Sequence, residues 1–471
     1  MAARIKLTAL YPLAVGVLLM LMTLLGWSAG RGQSPTYDEP YHISVGMDIW
    51  EQGRLRYDFI NSSFSRRWIS FPLIFLDVQV PQNAPNQGVL ANEFMYHNIR
   101  SAQELYAPVQ LWMMLPLVLL AAALAAKFSG LAGLVRWFQT RDRQRLRWML
   151  LAGLLGVGVL FAIEGNFELI SLRGFAEEQA GLARKIVMDL PPWAQTPIPL
   201  LRYLIGFLSL ATDYSGGRAA FLAGTLYPQG TPWYFPAAFL LKTPPGVLGL
   251  VALAAGLRLF RRTMPEAVRA QPAGSRWFIL LPLLVFTALV LTSKMNLGYR
   301  HLLPVVPFLY LWVGQIARHF SKPAVVAAAG LLLAVLVVEN LAVYPHYRAY
   351  FTPLVGGPAQ GYRYLVDSNL DWGQDLPGLA DFQREHQIEK LYLGYFGSAD
   401  PAAYGVRSEC LPGTDVWVCA DGKLPAHGWV TVSASCLQGY CTPFDRNFYA
   451  PLRARTPAAM IGYSILVYHL P

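Results

Sequence analysis

The sequence predicts an α-helical polytopic membrane protein, with about seven transmembrane helices and a C-terminal α/β domain outside the membrane. Of its 471 residues, 54% are hydrophobic and only 14% are charged, and the mean hydropathy is +0.35. A soluble domain of this length needs far more polar surface. The apolar runs near the roughly 20 residues of a spanning helix are Leu7–Trp27, Ala107–Ala126, Trp148–Ile163, Trp233–Phe260, Trp277–Ser293, Leu302–Ala317 and Ala324–Tyr344.

Basic residues orient these helices. If the predicted helices alternate, the basic connections around Arg4, Arg141, Arg262 and Lys322 all fall on one side of the membrane. The positive-inside rule makes that side cytoplasmic, so the N-terminus is cytoplasmic and the C-terminus is not. The net charge of +10 is therefore mostly a topology signal, and we expect no nucleic-acid partner.

Two outer loops and a tail are expected on the non-cytoplasmic side. The loops 28–106 and 164–232 belong to a transmembrane domain over 1–344, and the tail covers 345–471. Within the second loop, Leu200–Leu210 is apolar but about half the length of a span, which indicates an interfacial or re-entrant segment.

The tail reads as a small α/β domain. Helical character over Leu376–His386 is combined with β-rich runs bounded by Gly, Pro and Asp. The β-rich runs are Ile388–Phe396, Trp429–Ala434 and Ile461–Tyr468.

All four cysteines lie in this tail, at Cys410, Cys419, Cys436 and Cys441. Their segregation to the non-cytoplasmic side predicts an oxidising compartment and two disulfides. Pairing 410 with 419 and 436 with 441 is the simplest of three connectivities. A zinc site is the alternative, although the spacings contain no CxxC pair.

Two adjacent carboxylates, Asp38 and Glu39, follow the first predicted helix. A carboxylate pair where a membrane helix emerges into water is costly to desolvate, which indicates chemistry at the lipid interface. The alternative is a solvated loop that carries two acids.

Asp38-Glu39-Pro40-Tyr41-His42 resembles the Asp-Glu loop of family 39 glycosyltransferases, which are GT-C-type membrane enzymes that use polyprenyl-phosphate sugars. Other segments resemble the bacterial branch of that family, and the resemblance covers most of the chain from Leu7 onward. These segments are Asn296–Pro304, Asp367–Leu376, Tyr234–Pro236, Leu241–Pro244, Tyr395–Gly397 and Ile461–Ile465.

The resemblance implies a glycosyltransferase of the bacterial inner membrane. Such an enzyme moves a hexosyl or pentosyl group from the polyprenyl-phosphate carrier to an acceptor protein, lipid or glycan at the outer face. The transfer needs a base for the acceptor proton and groups that hold the charge of the departing phosphate. Asp38 is the candidate base, and Glu39 would position the acceptor or support Asp38. Alternatively, Glu39 caps the helix that begins near Pro40.

Four basic residues are candidates for binding the donor phosphate: Lys242, Lys294, Arg300 and His301. Lys242 lies about 13 Å inside the fourth predicted span, at 1.5 Å per residue, where a lysine should face a polar cavity. Arg300 would bind phosphate oxygens with two parallel hydrogen bonds. The alternative for these cations is interfacial anchoring by snorkelling.

A weaker set of candidates would contact the acceptor or the sugar: His42, Asp371, Trp372 and Gln374. Hydroxyl groups of a sugar suit amide and carboxylate partners, and its ring stacks on indole. The alternative is structural, with Asp371 and Asp375 capping the following helix.

A divalent metal site is a further candidate, because Glu93 and His97 are four residues apart and share a face if Asn92–Ser101 is helical. His42 and His301 would complete it from other loops. The alternative is an ordinary polar loop face.

A second function remains open: a non-catalytic protein that binds or transports polyprenyl-phosphate sugars. Relatives carry a second outer acidic segment, which has no counterpart in this sequence. Glu39, Glu93 or Glu164 would have to replace it in an active enzyme.

Overall fold

The computed structural model describes residues 17–18, 20–53, 63–85, 87–98, 217–261, 275–413, 423–441 and 445–471. The chain forms two compact units. The large unit is Met1–Tyr37, Leu124–Gln139 and Gly216–Pro471, and the small unit is Asp38–Ala123 and Thr140–Ser215. The expected spans Ala107–Ala126 and Trp148–Ile163, and the segment Leu200–Leu210, lie outside the described residues.

Helices account for most of the described secondary structure. The longer ones are α1 (20–31), α2 (Glu39–Gln52), α3 (Ser63–Ser70), α4 (Gln87–His97), α5 (Tyr234–Lys242), α6 (Pro245–Arg261), α7 (Ser275–Thr292), α8 (Val306–Val313), α9 (Pro323–Val343) and α10 (Leu376–Glu385). Single helical turns are Pro358–Gly361, Ala434–Leu437 and Ala450–Arg453. The 3₁₀ turns are Phe71–Phe75, Tyr299–Leu302, Gly314–His319, Tyr347–Ala349, Pro353–Val355, Asp367–Asn369 and Pro401–Tyr404.

In the small unit, α2 packs against α3 and α4. Ile43 of α2 and Leu90 and Phe94 of α4 are fully buried. Gly46 allows α2 to approach α3 closely, because a Cβ atom there would clash with the carbonyl group of Arg66. This bundle follows directly on Tyr37, the last residue of the first segment of the large unit.

The expected span Trp233–Phe260 is broken into α5 and α6, whose axes bend by 106°. The break falls at Thr243 and Pro244. Proline cannot donate a helical hydrogen bond, and it disfavours the helical conformation of the preceding residue. Lys242 therefore ends α5 beside the break, whereas a straight span would have placed it deep inside.

The expected span Leu302–Ala317 is also irregular. Helix α8 covers only Val306–Val313, between the 3₁₀ turns Tyr299–Leu302 and Gly314–His319. Pro304 lies just before α8, and Pro307 lies in its first turn, where the missing backbone N–H costs no helical hydrogen bond.

Helix α9 is long and apolar enough to cross a membrane, with a mean hydropathy of 2.3, and the bent pair α5 and α6 is a second candidate span within the described residues. On α9, Leu331 is 67% and Val338 is 65% exposed. Apolar side chains this exposed suit a lipid environment better than the core of a soluble protein. Seven spans remain a prediction.

Helices α6 and α9 run antiparallel in close contact. A Cβ atom at Gly246 would lie 2.6 Å from the Leu332 carbonyl oxygen. Nearer the other end of the pair, Ala254 packs with Val325 and Ala329. Small residues at this contact allow the two backbones to approach, as in helix pairs within membranes.

The described strands form a hairpin and a sheet. The hairpin is β1 (Ala220–Leu222) with β2 (Thr225–Tyr227), and the strands of the sheet are β3 (Leu391–Gly394), β4 (Ser408–Cys410), β5 (Gly428–Ser433), β6 (Ala459–Ile461) and β7 (Ile465–Leu470). The sheet lies in the tail and is mixed, in the order β4-β3-β5-β7-β6. Strand β3 pairs in parallel with β4 and β5, whereas β7 pairs antiparallel with β5 and β6.

Strands β3, β5 and β7 fall largely in the three β-rich runs of the sequence, whereas β4 and most of β6 lie outside them. The run Ile461–Tyr468 holds the end of β6, a turn and most of β7. Tyr463 in this turn has a φ of 65°, which reverses the chain between the two strands.

Cys436 and Cys441 form a disulfide at the end of the helical turn that follows β5. Cys410, at the end of β4, is also disulfide-bonded. Cys419, its partner in the expected connectivity, lies outside the described residues.

Candidate functional site

The tail segment 367–375 is a largely buried polar motif. It begins with the 3₁₀ turn Asp367–Asn369 and ends where α10 starts. Asp371 and Gln374 are almost completely buried. Asp371 accepts a hydrogen bond from the backbone N–H of Ser435, 2.9 Å away. Asp375 accepts one from the Ser464 hydroxyl at 2.6 Å. The motif is thus fastened to the turns that follow β5 and β6.

Burial changes the acidity of both carboxyl groups. Desolvation raises the pKa of Asp371 to about 7, against the opposing effect of the Ser435 hydrogen bonds. Desolvation also raises the pKa of Asp375, which the Ser464 hydrogen bond and nearby His346 oppose. Asp375 occupies the N-cap position of α10, but its side chain makes no capping bond. The capping alternative therefore does not describe Asp375.

Asn369 connects the motif to two other segments that resemble the family. Its side-chain amide donates to the Tyr234 hydroxyl at 2.7 Å, and its side-chain oxygen accepts from the Tyr299 backbone N–H at 2.9 Å. Ser368 donates to the carbonyl group of Leu297. Segments that are far apart in the sequence are thereby brought together in the large unit.

Gly298 makes this docking feasible. Its φ is 133°, in the region that favours glycine, and a Cβ atom there would clash with the hydroxyl of Ser368. The stretch that carries Arg300 and His301 therefore lies directly against the tail motif.

Lys242 is held by main-chain carbonyl groups. Its amine donates to the Arg348 oxygen at 2.8 Å and to the Asn369 oxygen at 2.5 Å, and it lies 4.5 Å from the centre of the Phe351 ring. Two of its three N–H donors are thus used within the protein. This arrangement favours a positioning role for Lys242 over direct contact with a phosphate.

Arg300 and Arg348 both lie against the indole of Trp372. Their guanidinium carbons are 4.6 Å and 5.6 Å from the ring centre, which is within the range of cation–π contacts. Arg300 is exposed, and Arg348 and Trp372 are half-buried. The two guanidinium groups and the half-buried indole form a cationic surface. The guanidinium groups can bind an anion, and the indole can contact an apolar or ring-shaped group. We call these three residues the arginine–tryptophan site.

His301 borders this site from the same 3₁₀ turn as Arg300. Burial, with a smaller effect of neighbouring Arg300, lowers its pKa, which favours the neutral form of the ring. Its buried Nε2 atom has no hydrogen-bond partner among the described residues, and the ring lies 6.1 Å from that of Phe235. His301 is suited to exchanging a hydrogen bond with a ligand, and less to supplying a positive charge.

Two other candidates have different surroundings. Lys294 is exposed, in the connection between α7 and the 3₁₀ turn Tyr299–Leu302. Gln374 uses its side-chain amide within the motif, donating to the Leu370 oxygen and accepting from the Trp372 backbone N–H. Gln374 and buried Asp371 therefore hold the motif together, which leaves Trp372 as the ring available for a sugar.

The acidic pair lies at the start of the small unit. Asp38 is the N-cap residue of α2, but its side chain makes no capping hydrogen bond, and Glu39 is the first helical residue. Glu39 is therefore not the cap of this helix. His42 lies on the first turn of α2 and is half-buried.

Glu93 is exposed on α4, which ends at His97. The helix is shorter than the expected Asn92–Ser101 at its C-terminal end, and the side chain of His97 lies outside the described residues. Within the described part of the chain, no three His, Cys, Asp or Glu side chains gather into a potential metal site. No step of the chemistry below is assigned to a metal.

Arg348 is the site residue that sequence reasoning missed. It follows α9 in the run Pro345-His346-Tyr347-Arg348. The signal that could have identified it is a basic residue among aromatic residues just after an apolar run. Lys294 and Arg300 lie in or beside a segment that resembles the family, whereas Arg348 does not.

Comparisons with known proteins return nothing, since no family model, curated protein or solved structure matches this chain. The resemblance to family 39 glycosyltransferases therefore rests on the sequence motifs alone.

Proposed function

We propose that this protein is a membrane glycosyltransferase that moves a sugar from a polyprenyl-phosphate carrier to an acceptor at the outer face of a bacterial inner membrane. The observation that carries the proposal is the arginine–tryptophan site. Arg300 and Trp372 come from two separate segments that resemble the family, and the indole lies 4.6 Å from the guanidinium carbon.

The site suits the charged part of such a donor. A guanidinium group binds phosphate oxygens with two parallel hydrogen bonds, and it keeps its charge at all physiological pH values. Arg300 and Arg348 would stabilise the phosphate as it departs. Trp372 offers its ring to the apolar face of the sugar. The Nε2 atom of His301, which has no partner among the described residues, exchanges a hydrogen bond with an oxygen atom of the donor.

In the proposed reaction, the acceptor oxygen or nitrogen attacks the anomeric carbon of the sugar. The bond between that carbon and the phosphate oxygen breaks, and the phosphate leaves with the electron pair. The acceptor proton passes to the Asp38 carboxylate. One glycosidic bond forms as one breaks, and neither an oxidant nor a reductant is required.

The assignment of Asp38 as the base rests on its sequence motif, Asp38-Glu39-Pro40-Tyr41-His42.

The decisive experiment measures two quantities on the purified protein: transfer from a synthetic polyprenyl-phosphate sugar and binding of that lipid. We expect transfer by the wild type, and binding without transfer by Asp38→Asn. Asp381→Asn is the matched control, because Asp381 is exposed on α10. If the wild type and Asp38→Asn both bind the lipid and neither transfers the sugar, the non-catalytic carrier is the better description. If neither protein binds the lipid, both functions are excluded.

A further inference from the structure

A cavity of about 500 Å³ lies in the tail, beside strands β3 and β4. Its walls come from these strands, from the residues that lead into them and from the start of the 3₁₀ turn Pro401–Tyr404. Binding pockets for small molecules usually have volumes of about 300–1,000 Å³. None of the described residues that line the cavity belongs to the arginine–tryptophan site. We call this cavity the tail cavity.

The inner wall of the tail cavity is apolar. Leu393, Tyr395 and Val406 line it, and all three are buried in the core cluster that includes residues of α10. The Tyr395 hydroxyl donates to the Gly373 carbonyl oxygen at 2.6 Å, so the polar end of this side chain is used within the protein. An apolar group of a ligand would therefore be stabilised by burial against this wall.

Four exposed charged residues also line the tail cavity: Glu389, Lys390, Asp400 and Arg407. Two of them have partners. The Lys390 amine pairs with the Glu409 carboxylate, and the Asp400 carboxylate accepts a hydrogen bond from the Ala402 backbone N–H at 2.9 Å. These two contacts leave one charge of each sign, on Arg407 and on Glu389.

Arg407 and Glu389 carry opposite charges but do not pair with each other. In the described part of the chain, neither side chain forms an ion pair or a hydrogen bond. The Arg407 backbone is fixed on both sides, because its N–H donates to the Gln383 side-chain oxygen at 2.9 Å and its carbonyl oxygen accepts from the Gln383 amide at 2.8 Å. Gln383 is itself buried on α10. A charged group on a fixed backbone loses less freedom when it binds a ligand.

The Ser408 hydroxyl adds an uncharged polar group. Ser408 is half-buried at the start of β4 and lines the tail cavity, and its hydroxyl has no hydrogen-bond partner among the residues that the structure describes. A hydroxyl both donates and accepts, so it suits the N–H and C=O groups of a peptide bond. Three extended residues span at most about 10 Å, and a sphere of about 500 Å³ has a similar diameter. A peptide of two or three residues therefore fits this volume.

We propose that the tail cavity binds a short peptide with a free amino terminus and a free carboxyl terminus. The terminal carboxylate binds the Arg407 guanidinium with two parallel hydrogen bonds, and the terminal ammonium binds the Glu389 carboxylate. An apolar side chain of the peptide packs against Leu393 and Val406, and Ser408 bonds to the peptide backbone. This binding goes beyond the proposed transfer reaction and does not depend on it.

The test measures binding of the tripeptide Ala-Leu-Ala to the purified full-length protein in detergent, by titration calorimetry and thermal unfolding. We expect this peptide, with both termini free, to bind and to raise the unfolding temperature. The N-acetylated peptide amide has the same side chains and no charge. It should bind at least about tenfold more weakly, because the charge-assisted hydrogen bonds at both ends are lost.

Each terminus is assigned to one residue, which the variants test separately. Arg407→Gln should lose the preference for a free carboxylate over a carboxamide and keep the preference for a free amine, and Glu389→Gln should show the reverse. Arg455→Gln and Glu385→Gln are the matched controls, because both residues are exposed in the tail and are not among the described residues that line the cavity. Their affinities should stay within about twofold of the wild type. The unfolding temperature without peptide shows that each variant is folded.

The absence of binding by the wild type would overturn the proposal, as would equal affinity for the charged and the capped peptide. If Arg407→Gln and Glu389→Gln both retain both preferences, the tail cavity is not the binding site. If free leucine binds as tightly as Ala-Leu-Ala, the site takes a single amino acid and the peptide is excluded.

Discussion

The two ends of α9 both carry arginine side chains, but the partners of these side chains differ. At the end that leads into the tail, Arg300 and Arg348 lie on Trp372, and Lys242 donates to two carbonyl groups. At the other end, Arg258 and Arg318 border a cavity with an apolar floor. The first end has a folded polar motif against it, which supplies carbonyl groups and an indole. The residue type alone therefore does not determine which partners a cation has.

Two kinds of cation lie at the end of α9 that leads into the tail. Lys242 donates to the carbonyl groups of Arg348 and Asn369, whereas Arg300 is exposed. Positioning and ligand binding should therefore separate on mutation, and the largest effect on activity is expected at Arg300.

Arg300→Ala should lower sugar transfer by about a hundredfold or more, because one charged donor at a departing oxyanion contributes that much. Membrane insertion and folding should be unchanged. The measurement is the initial rate with a synthetic polyprenyl-phosphate sugar, alongside Arg384→Ala, whose arginine pairs with exposed Asp381 on α10. Normal turnover by Arg300→Ala would remove the arginine–tryptophan site from the reaction.

Lys242→Met should lower the free energy of unfolding by about 2–3 kcal/mol, because the carbonyl groups of Arg348 and Asn369 each lose a charged donor. The measurement is thermal or denaturant unfolding in detergent. Lys322→Met, at an exposed cation, should change stability by less than about 0.5 kcal/mol. If Lys242→Met is as stable as the wild type but no longer binds the polyprenyl-phosphate sugar, Lys242 would instead be assigned to the phosphate.

Gly246→Ala should cost about 1–2 kcal/mol, because its Cβ atom would lie 2.6 Å from the Leu332 carbonyl oxygen and would push α6 from α9. Gly256 is the control on the same helix, since a Cβ atom there meets nothing within 4 Å. Gly256→Ala should be neutral or stabilising by up to about 1 kcal/mol. If Gly246→Ala and Gly256→Ala change the free energy of unfolding equally, the close contact between α6 and α9 would be contradicted.

The stability of the tail motif should depend on pH through Asp371. Burial raises the folded-state pKa of this carboxyl group from 3.8 to about 7, so the folded state binds the proton more tightly than the unfolded state does. The free energy of unfolding should therefore fall as pH rises from about 4 to 7, by up to about 1.4 kcal/mol per pH unit from this group.

Asp371→Asn should reduce that slope, because an amide does not titrate, whereas Asp381→Asn at an exposed position should leave it unchanged. The measurement is the unfolding midpoint across this pH range. A slope that is the same in Asp371→Asn and in the wild type would show that other groups carry the pH dependence.

The sequence located several elements closely and others poorly. The run Ala324–Tyr344 corresponds to α9, and helical character from Leu376 corresponds to α10, because uninterrupted patterns have one local solution. The expected span Trp233–Phe260 is not one continuous helix, because Pro244 and Pro245 interrupt an otherwise apolar run. Hydrogen bonds also cross the expected boundary at residue 344, since the tail motif is bonded to α5 and to the turn at Tyr299.

The sequence by itself determined the apolar runs, the distribution of basic residues, the clustering of cysteines in the tail and the motifs around Asp38, Arg300 and Trp372. These are local properties of composition and spacing. The tertiary structure decided which cation meets which partner: Lys242 bonds to Asn369, 127 residues away, and Arg300 meets Trp372. Such contacts depend on a helix break, on a glycine that permits close approach and on the packing of the motif against both, and no local pattern in one sequence encodes these together.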